Sequence, residues 1–469
     1  MGIKQAWEEK VLVHIVPPKT VEDEESKESY FIPGALVTTL FFLWGFSYGL
    51  LDTLNKHFQN VLGITTTETT YMQVAYFGAY FVTSPIAGMI LKRIGYKKTI
   101  ILGLLLYVLG ALCFYPSATN RVYGGFVGSL FTIACGLAML ENCANTYINI
   151  IGSRRWAALR INISQGFNGI GTTISPVIAS YAFFGGNDAE TGNLDSVKWT
   201  YVGVGCAVFV IAIIFCFARI PEFDEEAQMA AEADATGENV RRASMLSPHL
   251  WFGAITQFVY TGNQVGIASM FIYYGTIVGG YDDKFSSQLL ALAQMCFTIG
   301  RFVGAGFMRW FKPAHMLVFF SFAAIVSTIC AIAVDTPQAT YTLLVILFFE
   351  SIMFPTNFSL ATKDLGRNYK YGAPIVIMGV AGGALFPPLM ALLKDHRSIH
   401  LSFILPLIGF VMEFVYGMWV HKWIRYVEED PADIDPEKET TSNSAEKRSS
   451  VVEEQQERVS IQDTPQEVK

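Results

Sequence analysis

Glu141 lies inside an apolar run, Val122 to Ile151, of about thirty residues, more than a helix needs to cross a bilayer. Asp52 and Glu350 stand in two other runs of the same kind, and Glu413 interrupts a further one. A carboxylate among hydrocarbon is costly, so acids in such places face a pathway or a partner rather than lipid. Burial disfavours the ionised form, and an acid of this kind gains or loses its proton as water reaches it or is shut out. Proton-coupled transport is the chemistry that suits these residues. The plainer alternative for each is a hydrogen bond to a neighbouring helix, and Asp52, near the outer end of its run, could simply meet water.

The polar company of these acids narrows the ligand. Asn145 follows Glu141 one turn on; Asn162, Gln165 and Asn168 share one later run, and Gln257, Tyr260, Asn263 and Gln264 share another, with Tyr273 and Tyr274 beyond. A sugar offers hydroxyls to amides and carboxylates and a C–H face to aromatic rings, so a sugar pathway mixes both residue types. Interhelical hydrogen bonding explains any single amide equally well; several near one depth favour a cavity. Arg301, after Thr298-Ile299-Gly300, is the other conspicuous charge. It pairs with an acid, pairs with a carbonyl, or snorkels to the membrane surface.

Other chemistries find little support. All seven cysteines fall in apolar runs, which argues against a disulfide framework or a metal site, and no phosphate loop or nucleophile motif stands out. Neither a cofactor nor an enzymatic reaction is expected. The sequons at Asn162 and Asn357 fall in predicted helices, so glycosylation is not expected there. The net charge of −7 comes from acidic residues in the N-terminal tail, a central linker and the C-terminal tail, so it does not point to a basic partner, and no nucleic-acid partner is expected.

These residues need a membrane-embedded frame. Of 469 residues 52% are apolar and 16% charged, too greasy for a soluble enzyme of this length. Apolar windows give twelve spans near 34–55, 68–91, 98–118, 123–150, 160–184, 199–219, 250–278, 287–309, 314–334, 340–362, 371–393 and 401–424. The runs are continuous rather than alternating, so the fold class is an all-α membrane protein with twelve transmembrane helices. A polar linker divides six spans from six. Gly88 with Lys92-Arg93 after span two matches Gly306 with Arg309 after span eight, and Gly171 and Pro176 are spaced like Gly382 and Pro387. Two pseudo-symmetric six-helix bundles with a site between them follow. The expected organisation is a cytoplasmic tail 1–33, a bundle 34–219, a cytoplasmic linker 220–249, a bundle 250–425 and a disordered cytoplasmic tail 426–469. Basic residues such as Lys92, Arg93, Lys97, Arg154, Arg309, Lys312, Lys363 and Lys370 gather in the loops on one side, which places both termini in the cytoplasm. Arg241-Arg242-Ala243-Ser244 and Lys447-Arg448-Ser449-Ser450 fit basic-directed phosphorylation.

Taken in order, Phe41-Phe42-Leu43-Trp44-Gly45 with Asp52, Gly136-Leu137 with Leu140-Glu141 and Asn145, Asn162 with Gln165 through Asn168, Ile299-Gly300-Arg301-Phe302, Ser351-Ile352-Met353-Phe354-Pro355-Thr356 and Lys370-Tyr371-Gly372 form an ordered set along nearly the whole membrane region. In this set the chain resembles the fucose–proton symporter family of the major facilitator superfamily. The resemblance implies the major facilitator fold, with Asp52 and Glu141 in proton coupling and sugar recognition. It also implies that Gln165, Asn168 and Phe297 line a central cavity and that Phe354 replaces a tyrosine. Gln264, Asn145, Asn162, Arg301 and Glu350 complete the candidate set. Gly49 and Ala268 stand in place of a cavity asparagine and tryptophan, and Lys92 replaces the superfamily's usual acid after span two. The expected activity is proton-driven uptake of L-fucose or a related hexose by a monomer in the plasma membrane. The alternatives are a glucose or galactose carrier or facilitator, and a sugar sensor signalling through its tail.

Overall fold

The computed structural model describes residues 27–62, 66–151, 156–184, 194–222, 248–363, 365 and 368–423. The two phosphorylation patterns and most of both tails and the linker lie outside the described residues. The regular structure is helical, as hydrocarbon demands of a backbone that must satisfy its own hydrogen bonds.

The first group of helices is α1 (Lys27–Leu62), α2 (Thr66–Thr119), α3 (Tyr123–Ile150), α4 (Ala157–Phe184) and α5 (Asp195–Phe217). After the linker come α6 (Pro248–Ile277), α7 (Asp283–Phe307), α8 (Pro313–Ala333), α9 (Thr340–Glu350), α10 (Met353–Ala361), α11 (Tyr369–Ile377), α12 (Gly382–His396), the single turn α13 (Ile399–Ser402) and α14 (Ile404–Trp423). Among the described residues nine runs are long and apolar enough to cross a membrane, and one of these, Tyr71–Thr119, has 49 residues, enough for two crossings. α4 and α6, with 28 and 30 residues, are also long enough but carry the amides that lower their apolarity. Counting α2 twice and adding these two accounts for the twelve expected spans. Phe81, Phe209, Phe217, Trp310, Phe319 and Ile408 are exposed on the outer surface, as side chains solvated by lipid should be.

α2 is two helices joined at Gly95, whose φ of 82° lies in the left-handed region. Glu222, beyond α5, caps the second of them: the Tyr96 and Lys97 N–H groups donate to its two carboxylate oxygens at 2.8 and 3.0 Å. An anion at a helix N-terminus satisfies donors the helix itself leaves unpaired.

The paired glycines seen in the sequence mark equivalent helix crossings. A Cβ on Gly171 would lie 2.4 Å from the Phe42 carbonyl of α1, and one on Gly382 would lie 1.8 Å from the Phe258 carbonyl of α6. Small residues let membrane helices approach this closely. The obstacle at Gly382 is backbone, which cannot swing aside, so Gly382→Ala is expected to cost about 3 kcal/mol or more. Thermal unfolding of the detergent-solubilised variant checks this; a melting temperature equal to wild type would refute the tight crossing.

Spans ten and eleven depart from continuous helices in the second half, as span twelve does at Phe403, between α13 and α14. Span ten breaks between Glu350 and Met353, and span eleven passes through a 3-10 turn at Met378–Ala381. Pro355 accounts for the first: it has no N–H for the carbonyl four residues back, that of Ser351, and its ring crowds that oxygen.

The two groups of helices meet along α2 with α11 and α12, and along α4 with α7 and α10. Gly166 packs under the Phe302 ring and Gly169 under Thr298. Where α3 ends and α11 begins, Asn149 donates to Tyr369 Oη at 2.8 Å and Thr362 Oγ1 at 3.2 Å, and accepts from Ser359 Oγ at 3.2 Å. Beside it two cation–π pairs cross between the groups: Lys92 lies 4.6 Å from the Tyr371 ring centre and Lys370 lies 5.4 Å from that of Tyr96. Lys92, which stands where an acid was expected from the superfamily, therefore meets an aromatic face.

Candidate functional site

α3 is buried around its whole circumference from Gly136 to Asn149, which makes it a central helix and puts Glu141 in the interior at 5% exposure. Asn145, one turn further on, points its amide nitrogen at Glu141 Oε1, 3.5 Å away. Gln165 Nε2 of α4 donates to Asn145 Oδ1 at 3.3 Å. Gln165 and Asn168 are three residues apart and so share one helix face. Asn168 Nδ2 reaches across to the Phe41 carbonyl of α1 at 3.3 Å.

Arg301 enters this face from α7. It is only 1% exposed, so of the three roles open to it in the sequence, snorkelling is overturned. Its Nη1 donates to the Gln165 carbonyl, to Gln165 Oε1 at 3.2 Å and to Asn168 Oδ1 at 2.8 Å. Its Nε donates to the Ser351 carbonyl at 3.2 Å, the oxygen that Pro355 leaves without a helical donor. The guanidinium also lies over the Phe297 ring, 4.4 Å from its centre. A planar fork with donors along its edges suits this task; a lysine ammonium would not reach all four oxygens. The result is a hydrogen-bonded path from Glu141 through Asn145 and Gln165 to Arg301, joining the first group of helices to the second. Among the described residues no carboxylate lies within ion-pair distance of Arg301, but Glu141 and Glu350 both act on it through the interior.

On the other side of Glu141, Trp44 Nε1 donates to Tyr80 Oη, and Tyr80 is itself coupled electrostatically to Glu141. Leu40, Phe41, Trp44, Leu140, Glu141 and Ala144 bound a cavity of about 10 Å³. That is close to the space one water requires and far below what a hexose ring needs. In this arrangement Glu141 is closed in by residues of α1 and α3, and a hexose can reach it only if its surroundings open.

Glu141, Asn145, Gln165, Asn168, Phe297 and Arg301 thus come together. Phe354 is buried nearby with its ring centre 6.3 Å from that of Tyr260. Glu350 lies at the break in span ten, next to the residue that holds Arg301. Two candidates lie elsewhere. Asn162 Nδ2 donates to Ala158 O at 2.8 Å in its own helix and faces Thr356 Oγ1 at 3.4 Å, sealing α4 against α10. Gln264 is half-buried on α6 and takes no part in the path from Glu141 to Arg301. Asp52 belongs to the backbone of α1, but its side chain lies outside the described residues. Glu413 is matched to Asn357, whose Nδ2 donates to both its oxygens at 2.8 and 2.9 Å. Tyr80 was not singled out from the sequence, although Tyr76 and Tyr80 fall one turn apart on span two. Asn149 was missed too, although it continues the series Asn142, Asn145.

Known proteins resemble this chain in both sequence and fold. A "Glucose/galactose transporter" of Brucella abortus (strain 9-941) is 34% identical over 400 residues, which cover 84% of this chain and 96% of that protein. An "L-fucose-proton symporter" of Escherichia coli (strain K12) is 28% identical over 415 residues, covering 84% of this chain and 94% of that one. The crystal structure of the transporter FucP in the outward conformation superposes with a TM-score of 0.73 at 28% identity, over 84% of this chain and 99% of that one. Residues 37–380 match the Major Facilitator Superfamily, and with its helical frame and two-sided interior the chain belongs to that family of integral, multi-pass membrane transporters.

Proposed function

We propose that the chain is a proton-coupled monosaccharide symporter that works by alternating access, carrying L-fucose or a related hexose. One observation carries the reading: Glu141, shut in a water-sized cavity, is tied through Asn145 and Gln165 to Arg301 of the opposite half. Parting the halves exposes the acid to water and to sugar hydroxyls. A protonated Glu141 removes the charge penalty and lets the loaded carrier close; deprotonation on the far side resets it. Asp52 and Glu141 are assigned to proton and sugar recognition, Gln165, Asn168 and Gln264 to the hydroxyls, and Phe297 and Phe354 to the C–H face. The similar proteins named for fucose–proton symport and for glucose/galactose transport support both the ligand class and the mechanism. The division into bundles 34–219 and 250–425 is proposed with it, supported by the equivalent glycine crossings at Gly171 and Gly382. We place the protein in the plasma membrane, with both termini cytoplasmic, acting as a monomer because one chain holds the whole path.

A glucose or galactose substrate is favoured by a separate observation. Gly49 and Ala268 are smaller than the residues of the fucose branch, and glucose and galactose carry a hydroxymethyl where L-fucose has a methyl. Uptake of radiolabelled L-fucose, D-galactose and D-glucose into liposomes holding the purified protein, with the outside acidic, tests sugar and energy source together. Accumulation of at least one sugar above equilibrium is expected, and a protonophore should abolish it. Uptake that merely equilibrates, with or without the protonophore, would identify a facilitator.

A further inference from the structure

Gln257 of α6 is a buried amide that no group around it satisfies. It has no exposed surface, and neither its Nε2 nor its Oε1 has a hydrogen-bond partner among the described residues. The other buried amides among the described residues all place their side-chain nitrogen against an acceptor. An amide dried without partners forfeits its bonds to water and gains none in return, so its presence asks for a partner that arrives in another step of the cycle.

Three sides of α6 are taken by its own half. Gly253 and Tyr260 meet α10: a Cβ on Gly253 would lie 2.4 Å from the Ala361 Cβ, and the Tyr260 and Phe354 ring centres are 6.3 Å apart. Gly262 meets α12, whose Phe386 ring would lie 2.3 Å from a Cβ there, and Asn263 donates to the Pro406 carbonyl of α14 at 3.1 Å. The remaining side carries Gln257, Thr261, Gln264 and Ala268, spaced four, three and four apart as one helical stripe. It lies between α10 and span eleven, and both touch the first half: Thr356 faces Asn162, and Gly383 packs under the Phe77 ring. The stripe therefore looks toward the seam. Thr261 donates its hydroxyl to the Gln257 carbonyl of its own helix at 3.0 Å, which leaves the Gln257 amide as the unmatched polar group.

Its depth matches that of the acid. Asn149 near the end of α3 bonds Thr362, and Gly372 packs against Leu250 near the start of α6, so these two helix ends share one end of the molecule. Glu141 lies nine residues before the last residue of α3 and Gln257 nine residues after the first of α6, each about 14 Å along its helix.

We propose that Gln257 is a sugar-binding residue of the second half, taking a hydroxyl of the monosaccharide that Glu141 and Gln165 meet from the first half. The assignment rests on the symport reading above. An amide offers both a donor and an acceptor, which suits a hydroxyl that is itself both. Closing on an empty site strips water from the amide and returns nothing, whereas closing on sugar puts a hydroxyl in its place, so the loaded carrier closes more easily than the empty one. A site that bonds a hydroxyl also rejects a sugar that lacks it.

The test uses the full chain in liposomes and measures uptake of radiolabelled D-galactose, L-fucose and D-glucose. For the sugar transported best, the analogues lacking one hydroxyl each then serve as competitors. Wild type is expected to bind one such analogue at least about ten-fold more weakly than the parent, a difference of about 1.4 kcal/mol. Gln257→Met, apolar and of similar length, is expected to bind the parent about ten-fold more weakly and to treat parent and analogue alike within about two-fold. Its melting temperature without sugar should stay at or above that of wild type, because no paired amide has been lost. Discrimination retained in the Met variant overturns the contact and leaves the symport reading standing. A lower melting temperature also overturns it, since that marks the amide as paired within the frame or to a buried water. If wild type accumulates none of the three sugars in a pH gradient, the symport reading falls and this role falls with it. Should the Met variant yield no protein to measure, Gln257→Asn, which draws the amide back by one methylene, decides: lost discrimination supports the contact, and retained discrimination overturns it.

Discussion

Glu141→Gln is expected to yield a carrier that exchanges sugar but no longer concentrates it. Glutamine keeps the length of the side chain and its contact with Asn145 while removing the proton that can come and go, so it mimics the loaded acid permanently. With one proton per sugar, each unit of pH difference, about 1.4 kcal/mol, supports roughly a ten-fold concentration ratio. In the variant that ratio should fall to about one, because no free energy passes from the gradient to the sugar. Counterflow, in which preloaded unlabelled sugar draws in label, needs no net proton movement and should stay within about three-fold of wild type. Both quantities come from the same liposomes. Accumulation at the wild-type level in Glu141→Gln would remove this acid from the coupling.

Arg301→Met is expected to act more broadly, on exchange as well as accumulation. Replacing a buried charge by an apolar side chain of similar shape is sometimes neutral or even stabilising, because the cost of desolvation disappears. Here the balance goes the other way. The guanidinium serves the Ser351 and Gln165 carbonyls and the side-chain oxygens of Gln165 and Asn168. Buried acceptors left unpaired cost about 1–3 kcal/mol each before relaxation, so a net loss of about 3 kcal/mol is a reasonable magnitude. That corresponds to a fall of about one hundred-fold in the rate of closing around sugar. Lysine at this position should remain impaired, since it returns the charge without the fork. Exchange above half the wild-type rate in Arg301→Met would show that the bridge across the seam is dispensable.

Much of the centre was legible in the sequence because amides and acids are conspicuous among apolar residues. Glu141, Asn145, Gln165 and Asn168 were found in this way, and the low apolarity of spans five and seven came from the same residue types. The partner of Arg301 was not legible. Three of its four acceptors lie in the other helix group, more than one hundred residues distant, and nothing local separates a guanidinium that bonds a carbonyl from one that snorkels. Pro355 was visible in the sequence, but reading span ten as continuous concealed what a proline would leave free at Ser351. Asn162 looked like a cavity residue for the same reason as Asn168; only the rotation of α4 distinguishes an amide that meets Arg301 from one that packs against Thr356.

The crossed lysine–tyrosine contacts at the end of the molecule beside Asn149 set a threshold for turnover. Where water reaches them each pair contributes about 0.5–1 kcal/mol, and the hydrogen bonds of Asn149 about 1 kcal/mol apiece. Together they add only a few kcal/mol to the packing of Gly88 against Pro374 at this end of the seam, comparable with the roughly 4 kcal/mol released when a ligand binds with millimolar affinity. Polar contacts this weak break and re-form readily, so at this end the two groups of helices are buttoned rather than welded.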